Sequence, residues 1–518
     1  MPARLSKTGA ILILLWMMVQ NAWLSDDGYI TLRVVENFVA GYGPNFNVGE
    51  RVQVFTHPLW MFLLSGAYYF FRHLPLAGAI SLPLYHLTIW TGLALSIVTL
   101  GLFYWKLVPN WPAAICALLA LGFSRSFIHY STSGLENPLS HLILAGFLAA
   151  VLLAPQKPWL ASLLAGLGMV TRQDFLFVFA PYMAYSIAAS TNRRETARQI
   201  LAGLSPVILW ELFSLFYYGF PVPNTAYAKL NTGLDRFSVL GSGSLYFADL
   251  WLHDRITFLV ILAGIVAGFI SVNRRSQALA AGVVLYLGYL IWIGGDFMSG
   301  RFFSAPLILS LGLLAAIPVP RPSIYAWAGI ALLAIGFSSP HPPFLRDPRI
   351  GSEDRNIFVY KGQVTDERAY YYPRTGLLAP TKYYITRRFA RPEHWVADPA
   401  EYEVRLLNDL GIKGYGAGPS VHVFDEYALS DPLLARLPAW EGGSSIGHAF
   451  RVLPAGYLET VISRENRLAD PSLAQYFDRL HVVVSGPLFG PGRVLEIIRF
   501  NVGAYDSLIE EYNYRSAD

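Results

Sequence analysis

Charged residues are scarce in this chain of 518 residues, at 14% of the sequence, whereas an ordinary soluble domain has about a quarter. The scarcity is confined to one part. Residues 1–338 contain 31 Asp, Glu, Lys and Arg residues, and the shorter segment 339–518 contains 43. This distribution argues strongly against a soluble globular enzyme. It predicts an apolar module over 1–338 followed by a polar module over 339–518.

Cysteine is almost absent, since Cys116 alone is present and lies in an apolar run. The chain therefore has no disulfide framework and no cysteine-based metal site. Its 11 histidines show no zinc-site spacing such as H-E-x-x-H, and no metal site is predicted from them. The net charge of +4 is small, so we expect no nucleic-acid partner.

Long apolar runs are abundant. The first, residues 9–24, follows Arg4 and Lys7 and has no small-x-small cleavage pattern, which indicates an uncleaved membrane helix. A further run, 58–71, is as long as the shorter candidates, so length leaves its crossing open. Ten other runs bring the predicted count to eleven membrane helices: 83–107, 111–124, 138–154, 158–171, 174–190, 200–218, 256–272, 277–294, 303–319 and 324–338.

The positions of basic residues favour eleven crossings, because Lys and Arg collect at cytoplasmic ends. If 58–71 does not cross, ten basic residues and only one acidic residue, Glu195, face the cytoplasm. The same arrangement places 339–518 outside. We therefore expect an α-helical polytopic membrane protein with a C-terminal mixed α/β extracytoplasmic domain, in which 401–412 forms a helix ended by Gly411 and 420–425 forms a strand.

The first outer loop contains two adjacent carboxylates, Asp26 and Asp27, where the first membrane helix ends. An amphipathic helix follows, which we expect to lie along the membrane surface with Asp26, Arg33 and Asn37 on its polar side. The carboxylates are suited to capping that helix. They are also suited to general-base catalysis, in which one takes a proton from an acceptor hydroxyl and its neighbour orients the acceptor or holds a divalent cation.

Three cations are candidates for stabilising a departing phosphate: Lys229, Arg301 and Arg172. Each also has a structural alternative. Lys229 fits an anchor at the membrane interface, Arg301 can pair with Asp296, and Arg172 can pair with Asp174. Residue type alone leaves these alternatives open.

Six segments in order resemble the GT-C superfamily of membrane glycosyltransferases that take sugars from polyprenyl-phosphate donors, and in particular its arabinofuranosyltransferase-like branch. That branch includes the mycobacterial terminal arabinofuranosyltransferase and pilin-modifying relatives. The resemblance covers nearly the whole chain, and any one motif alone is weak. The segments are SDDGYITLRVVENFVAGYGPNFNVGERVQVFTHPLW, YSTSGLENPL, YYGFPVPNTAYAKL, GGDFMSGRFF, ALSDPLLARLP and SSIGHAFRVLPAGY.

The resemblance implies roles for particular residues. Asp26 corresponds to the catalytic base, and Asp27 either assists it or takes that role. Lys229 and Arg301 correspond to contacts with the donor phosphate. The weaker matches for the donor site are Glu136, Arg172, Asn224, Tyr227 and Asp296. Arg172 stands in TRQD, where Thr-Arg-Pro-Glu is more usual.

The implied reaction is inverting transfer of a sugar to an extracytoplasmic glycan or a pilin-like protein at the bacterial plasma membrane. Arabinofuranose is the sugar that the branch suggests, and a hexose would use the same machinery. Such a donor is already activated, and the chain lacks the nucleotide-binding pattern G-x-x-x-x-G-K-[ST]. The alternative is a transporter or lipid-linked glycan flippase. Those proteins usually carry ionisable residues inside their membrane spans, whereas Glu211 is the only acidic residue well inside a run here.

Overall fold

The computed structural model describes most of the chain. The described residues are 2–73, 83–230, 235–343, 359–360, 364–379, 396–398, 400, 402–407, 410–440, 447, 449–510 and 512. Residues 344–358, near the start of the predicted polar module, lie outside this set.

The described residues form two compact units, and each consists of three stretches of sequence. Unit 1 comprises Met1–Ser25, Leu82–Val207 and Phe237–Arg387. Unit 2 comprises Asp26–Ser81, Ile208–Arg236 and Arg388–Asp518. The predicted boundary at 338/339 separates a membrane part from an aqueous part, and it stays a prediction.

Unit 1 is mainly helical. Its helices include α1 (Pro2–Gln20), α4 (Leu84–Leu102), α5 (Trp111–Phe123), α6 (Arg125–Tyr130), α7 (Asn137–Leu153), α8 (Pro158–Thr171), α9 (Leu176–Ala188), α10 (Arg193–Gly203), α13 (Arg236–His253), α14 (Arg255–Ile270), α15 (Arg274–Trp292), α16 (Ser304–Ala315), α17 (Pro322–Ser338) and α18 (Glu367–Thr375). Helix α4 continues into a π-helical turn, Phe103–Leu107. A two-stranded antiparallel sheet joins β1 (Val359–Tyr360) and β2 (Val364–Thr365).

Small residues allow the helices of unit 1 to pack closely. A Cβ on Gly264 of α14 would lie 2.3 Å from the Ser310 Cβ of α16. A Cβ on Gly282 of α15 would lie 2.2 Å from the Val178 carbonyl oxygen of α9. Close backbone approach at glycine and serine is typical of helix contacts in membranes.

Among the described residues, length and composition identify one helix, Leu84–Leu107, as able to cross a membrane. The number rises to three if each of two bent helix pairs is one span: Arg193–Gly203 with Ser205–Tyr217, and Arg236–His253 with Arg255–Ile270. Six shorter apolar helices coincide with predicted runs: Lys7–Gln20, Trp111–Phe123, Asn137–Leu153, Pro158–Thr171, Arg301–Ala315 and Pro322–Ser338. The helical character is thus confirmed, and the count of eleven crossings stays a prediction.

Unit 2 combines helices with a short parallel sheet. Its helices are α2 (Asp26–Val39), α3 (Pro58–His73), α12 (Asn224–Leu230), α19 (Ile412–Ala417), α20 (Tyr457–Ser463), α21 (Pro471–Val484), α22 (Arg493–Asn501), α23 (Ser507–Glu510) and most of α11 (Ser205–Tyr217). Its strands β3 (Glu403–Leu406) and β4 (Val421–Phe424) pair in parallel, with Glu403 opposite Val421.

One predicted helix is wrong. The segment 401–412 was expected to be helical, but Glu403–Leu406 is a strand of the β3–β4 sheet. Strand β4 is buried along its length and β3 is largely exposed. Pairing with a buried neighbour therefore overrides the local helical pattern. The strand expected within 420–425 is confirmed.

Helix α2 begins at Asp26 as predicted, and its placement along the membrane surface stays a prediction. Residues 28–37 are all buried. The fully buried Arg33 donates from Nε to the Phe46 carbonyl at 2.7 Å, from Nη2 to the Val421 carbonyl at 2.7 Å, and from Nη1 to the Gly414 carbonyl. The polar side of α2 therefore faces backbone carbonyls of unit 2 rather than water, since a buried guanidinium needs acceptors.

Candidate functional site

Four of the predicted site residues meet in unit 1. Glu136 precedes α7, Arg172 follows α8, and Asp296 and Arg301 lie in the loop after α15. That loop turns at Gly294, Gly295 and Gly300, whose φ angles of 89°, 79° and 79° favour glycine. The three loops bring together residues that are up to 165 positions apart in the sequence.

Glu136 is fully buried and joins the two arginines. Its Oε1 accepts from Arg172 Nη1 at 2.8 Å, and its Oε2 accepts from Arg301 Nη2 at 3.4 Å. Arg172 also holds both carboxylate oxygens of Asp174, at 3.0 and 2.5 Å. Arg301 Nη1 lies 3.6 Å from Asp296 Oδ2. The pairings of Arg172 with Asp174 and of Arg301 with Asp296, considered from the sequence as alternatives, are thus both present.

We call these five side chains the Glu136 cluster: Glu136, Arg172, Asp174, Asp296 and Arg301. Three carboxylates and two guanidiniums give it a formal charge of −1 when all are ionised. The Arg172 and Arg301 guanidiniums also lie over the Phe302 ring, 4.1 and 5.3 Å from its centroid. Such a buried, mostly neutralised cluster is suited to hydrogen bonding with a polyhydroxylated ligand.

A segment that sequence analysis assigned to the polar module also belongs to unit 1. Thr365 exchanges backbone hydrogen bonds with the Asp296 loop, from Thr365 N to Phe297 O at 2.7 Å and from Ser299 N to Thr365 O at 2.9 Å. The next residue, Asp366, caps α18 and pairs with Arg125. Burial opposes ionisation of Asp366, but the Arg125 charge outweighs it and lowers its pKa to about 2. No motif had pointed to this pair.

The Asp26–Asp27 pair lies at the start of α2 in unit 2, and both residues are partly buried. Asp26 Oδ2 accepts from Gly411 N at 2.9 Å, and Oδ1 accepts from Ile412 N at 2.8 Å. The carboxylate therefore anchors the first residues of α19. Both carboxylate oxygens of Asp26 are thus engaged by backbone N–H groups.

A divalent cation at the Asp26–Asp27 pair stays a prediction. Both Asp26 oxygens accept backbone N–H groups. Among the described residues, no group of three or more His, Cys, Asp and Glu side chains is arranged to hold a metal ion.

Three predicted donor-site residues, Asn224, Tyr227 and Lys229, lie on α12 of unit 2. Asn224 is a structural anchor. Its Nδ2 lies 3.0–3.1 Å from three carbonyl oxygens of the segment 428–431, and its backbone N–H donates to the Gln53 carbonyl at 2.8 Å. Lys229 is exposed in the last turn of α12.

Beside Tyr227 stands Arg436, which sequence analysis missed as a site residue. Its guanidinium lies over the rings of Phe220 and Tyr227, at 4.1 and 4.5 Å from their centroids. Arg436 belongs to the segment ALSDPLLARLP, which carried part of the family resemblance. The arginine of that segment was the available signal, but nothing in the sequence linked it to α12.

Two curated proteins resemble the chain along most of its length. The terminal β-(1→2)-arabinofuranosyltransferase of Mycobacterium tuberculosis is 27% identical over 87% of this chain and 84% of its own length. The protein with the same name from Corynebacterium glutamicum is 26% identical over 84% of this chain and 74% of its own length.

No family model matches the chain. No solved structure matches it. The resemblance predicted from six motifs is nevertheless confirmed by whole-chain similarity, and the chain is an arabinofuranosyltransferase-like relative of these two proteins.

Proposed function

We propose that this chain is an inverting GT-C glycosyltransferase that moves arabinofuranose from a polyprenyl-phosphate donor to an extracytoplasmic glycan or protein acceptor. The observation that carries the proposal is its similarity, over 84–87% of its length, to two proteins named terminal β-(1→2)-arabinofuranosyltransferase. The buried Glu136 cluster in unit 1 supports it, since polar residues brought together in apolar surroundings are typical of ligand sites.

In the proposed reaction, the acceptor hydroxyl oxygen attacks the anomeric carbon of the donor sugar. The bond from that carbon to the phosphate oxygen breaks, so the configuration inverts and polyprenyl phosphate leaves. The hydroxyl proton passes to a carboxylate of the Asp26–Asp27 pair. Because Asp26 is anchored by Gly411 N and Ile412 N, we assign proton acceptance to Asp27 and positioning of α2 to Asp26.

The other predicted residues keep roles in the proposed donor site. Lys229 is exposed on α12 and long enough to reach a phosphate oxygen at the membrane interface. Arg301 already contacts Glu136 and Asp296. We therefore propose that the Glu136 cluster binds sugar hydroxyls rather than the phosphate.

We also propose that the chain is embedded in the bacterial plasma membrane through eleven crossings, most of which lie in unit 1. The helices of unit 1 expose large apolar side chains that water would not favour. On α17, Trp327 is 70% exposed and Phe337 is 59% exposed; on α14, Ile270 is 74% exposed. A lipid environment accounts for such exposed surfaces along helices of low charge.

The activity test uses purified full-length protein in detergent with synthetic polyprenyl-phosphoryl arabinofuranose and candidate acceptors, followed by mass spectrometry. Asp27→Asn is expected to abolish transfer. Asp26→Asn is expected to reduce transfer less, because asparagine retains one oxygen that can accept a backbone N–H. Asp478→Asn, at an exposed carboxylate, is the control and should transfer as the parent does.

The outcomes separate the alternatives. Loss in Asp26→Asn with normal transfer in Asp27→Asn would exchange the two assignments. Transfer that neither variant changes would place the base elsewhere. Absence of transfer from pentose and hexose donors, together with donor movement across vesicles, would favour the flippase alternative.

Topology is tested separately by labelling cysteines in intact cells. In a Cys116→Ser background, Ser463→Cys and Lys157→Cys each place a thiol at an exposed position. A membrane-impermeant maleimide is expected to label Ser463→Cys and not Lys157→Cys. The reverse pattern would contradict the proposed orientation.

A further inference from the structure

A small cavity in unit 2 lies between α12 and the 3₁₀ turn Leu434–Arg436. Two arginines line it, Arg51 and Arg436, together with two amide side chains and the Tyr227 ring. Its remaining walls are mostly apolar. The complete lining is Arg51, Val52, Gln53, Tyr218, Phe220, Val222, Asn224, Tyr227, Pro432, Arg436 and Val484.

Arg436 is a buried cation with neutral partners. The residue is only 7% exposed. Nη1 donates to the Pro432 carbonyl at 2.6 Å and to Asn224 Oδ1 at 3.3 Å. Both acceptors are uncharged. In the part of the chain that the structure describes, no carboxylate forms an ion pair with Arg436.

Arg51, the second arginine of the lining, also has neutral hydrogen-bond partners. Its Nη2 donates to the carbonyls of Val483, at 3.2 Å, and Gly486. Its Nε is buried and has no hydrogen-bond partner among the described residues. Burial, and after it the nearby Arg51 charge, lowers the pKa of Arg493 to about 10.

The contrast with the Glu136 cluster identifies the ligand class. There, two arginines face three carboxylates, so an incoming anion would meet carboxylate repulsion. In the unit 2 cavity, two guanidiniums face only neutral groups, and a buried cation gains most from an anionic partner. A planar guanidinium is also matched to phosphate oxygens, which it can hold with paired hydrogen bonds.

We propose that this cavity binds the phosphoryl group of a prenyl phosphate, with Arg436 and Arg51 as its cationic contacts and the apolar walls against the first isoprene unit. The inference rests on the proposed function, in which a polyprenyl phosphate is the leaving group. It differs from the sequence-based assignment because it places the phosphate at Arg436 rather than at Arg301. The same chemistry would also admit inorganic phosphate.

Binding is measured without turnover, so that its result is independent of the transfer assay. Full-length protein in detergent is titrated with farnesyl phosphate, farnesol or inorganic phosphate, and intrinsic tryptophan fluorescence is followed. We expect farnesyl phosphate to bind at least about tenfold more tightly than farnesol, and Arg436→Gln and Arg51→Gln each to lower its affinity about tenfold or more. Farnesol affinity should not change.

Arg436→Lys and an exposed-site control guard against loss of folding. Arg436→Lys keeps the positive charge but loses the paired N–H donors of the guanidinium. Its affinity for farnesyl phosphate should therefore fall between those of the parent and Arg436→Gln. Arg467→Gln replaces an exposed arginine and should bind as the parent does. As a measurement on the parent alone, farnesyl phosphate bearing a photoreactive diazirine should label peptides that contain residues 218–227 or 432–436.

Each outcome either supports or overturns the proposed phosphoryl site. Equal affinity of the parent and both Gln variants for farnesyl phosphate, or photolabelling confined to other peptides, would overturn it. Inorganic phosphate that competes as strongly as farnesyl phosphate would support a phosphoryl site while refuting the contact with isoprene. Binding as expected without any sugar transfer would refute the proposed function and leave the phosphoryl site in place.

Discussion

Glu136 is expected to be the most important single side chain for the stability of unit 1. It is fully buried and contacts Arg172 and Arg301 at 2.8 and 3.4 Å. Removing one member of a buried ion pair costs about 3–5 kcal/mol, because the remaining charge stays buried without its partner. We therefore expect a cost in this range for Glu136→Ala. For Glu136→Gln, which keeps the shape and one acceptor oxygen, we expect roughly 1–3 kcal/mol.

The chain offers a matched control for this prediction. Glu465 pairs with Arg467 at 2.7 Å, but its side chain is 70% exposed. An exposed pair contributes about 0–1 kcal/mol. Thermal unfolding in detergent, followed by tryptophan fluorescence at one scan rate, should thus show a lower melting temperature for Glu136→Gln and almost no change for Glu465→Gln. Raising the salt concentration should leave the effect at Glu136 nearly unchanged.

A double-mutant cycle tests the geometry itself. The contact of Glu136 with Arg172 is a well-formed hydrogen bond at 2.8 Å, whereas the contact with Arg301 is long at 3.4 Å. The coupling energy should therefore be larger for Glu136 with Arg172, within the usual range of about 0.5–3 kcal/mol. Equal melting temperatures for Glu136→Gln and Glu465→Gln, or no coupling to either arginine, would refute this account of the cluster.

Three further changes test unit 2. Gly411→Ala would place a Cβ 1.8 Å from the Asp26 backbone carbonyl oxygen. Sugar transfer should therefore fall, by about 100-fold if Asp26 moves 1 Å. Gly66→Ala is the control, because no atom lies within 4 Å of the added Cβ, and it should keep parental activity. Burial raises the pKa of Asp431 from 3.8 to about 7, so the folded state holds a proton that the unfolded chain releases. Stability should thus fall between pH 4 and 7, by on the order of 4 kcal/mol, and then level off, and Asp431→Asn should flatten this part of the melting profile. Arg33→Lys should lower the melting temperature, because an ammonium group cannot replace the guanidinium fork that donates to three carbonyls; an unchanged melting temperature would contradict that role.

The helices could be predicted because apolar runs of this length have few other stable forms. The start of α2 at Asp26 and the strand within 420–425 also followed from local pattern. The strand Glu403–Leu406 could not be predicted. Its sequence EVRL lies within a pattern that predicts a helix, and pairing with the buried strand β4 decides its conformation instead. The pairing of Thr365 with the Asp296 loop depends in the same way on a contact between distant segments.

Two pairings of the Glu136 cluster, Arg172 with Asp174 and Arg301 with Asp296, could be considered from the sequence, but the contacts of Glu136 could not. A charged side chain in an apolar module needs a polar or oppositely charged partner. Residue type alone therefore made Glu136, Arg172, Asp296 and Arg301 candidates for the site. That one glutamate would join both arginines depends on three loops meeting in space. Asn224 shows the converse, because a side chain assigned to the sugar pocket is used to anchor the backbone of 428–431.

The sequence could not show which of the arginines has a carboxylate beside it to neutralise its charge. Arg301 and Arg436 both lie in motifs that match the family resemblance, and neither motif distinguishes a cation that is already neutralised from one that is not. Arg301 lies beside two carboxylates, whereas the partners of Arg436 are an amide oxygen and a carbonyl oxygen. An anionic leaving group gains less free energy from the first than from the second, because it must compete with carboxylates already in place. If the chain is a glycosyltransferase, its leaving phosphate should therefore be sought at Arg436 rather than at Arg301.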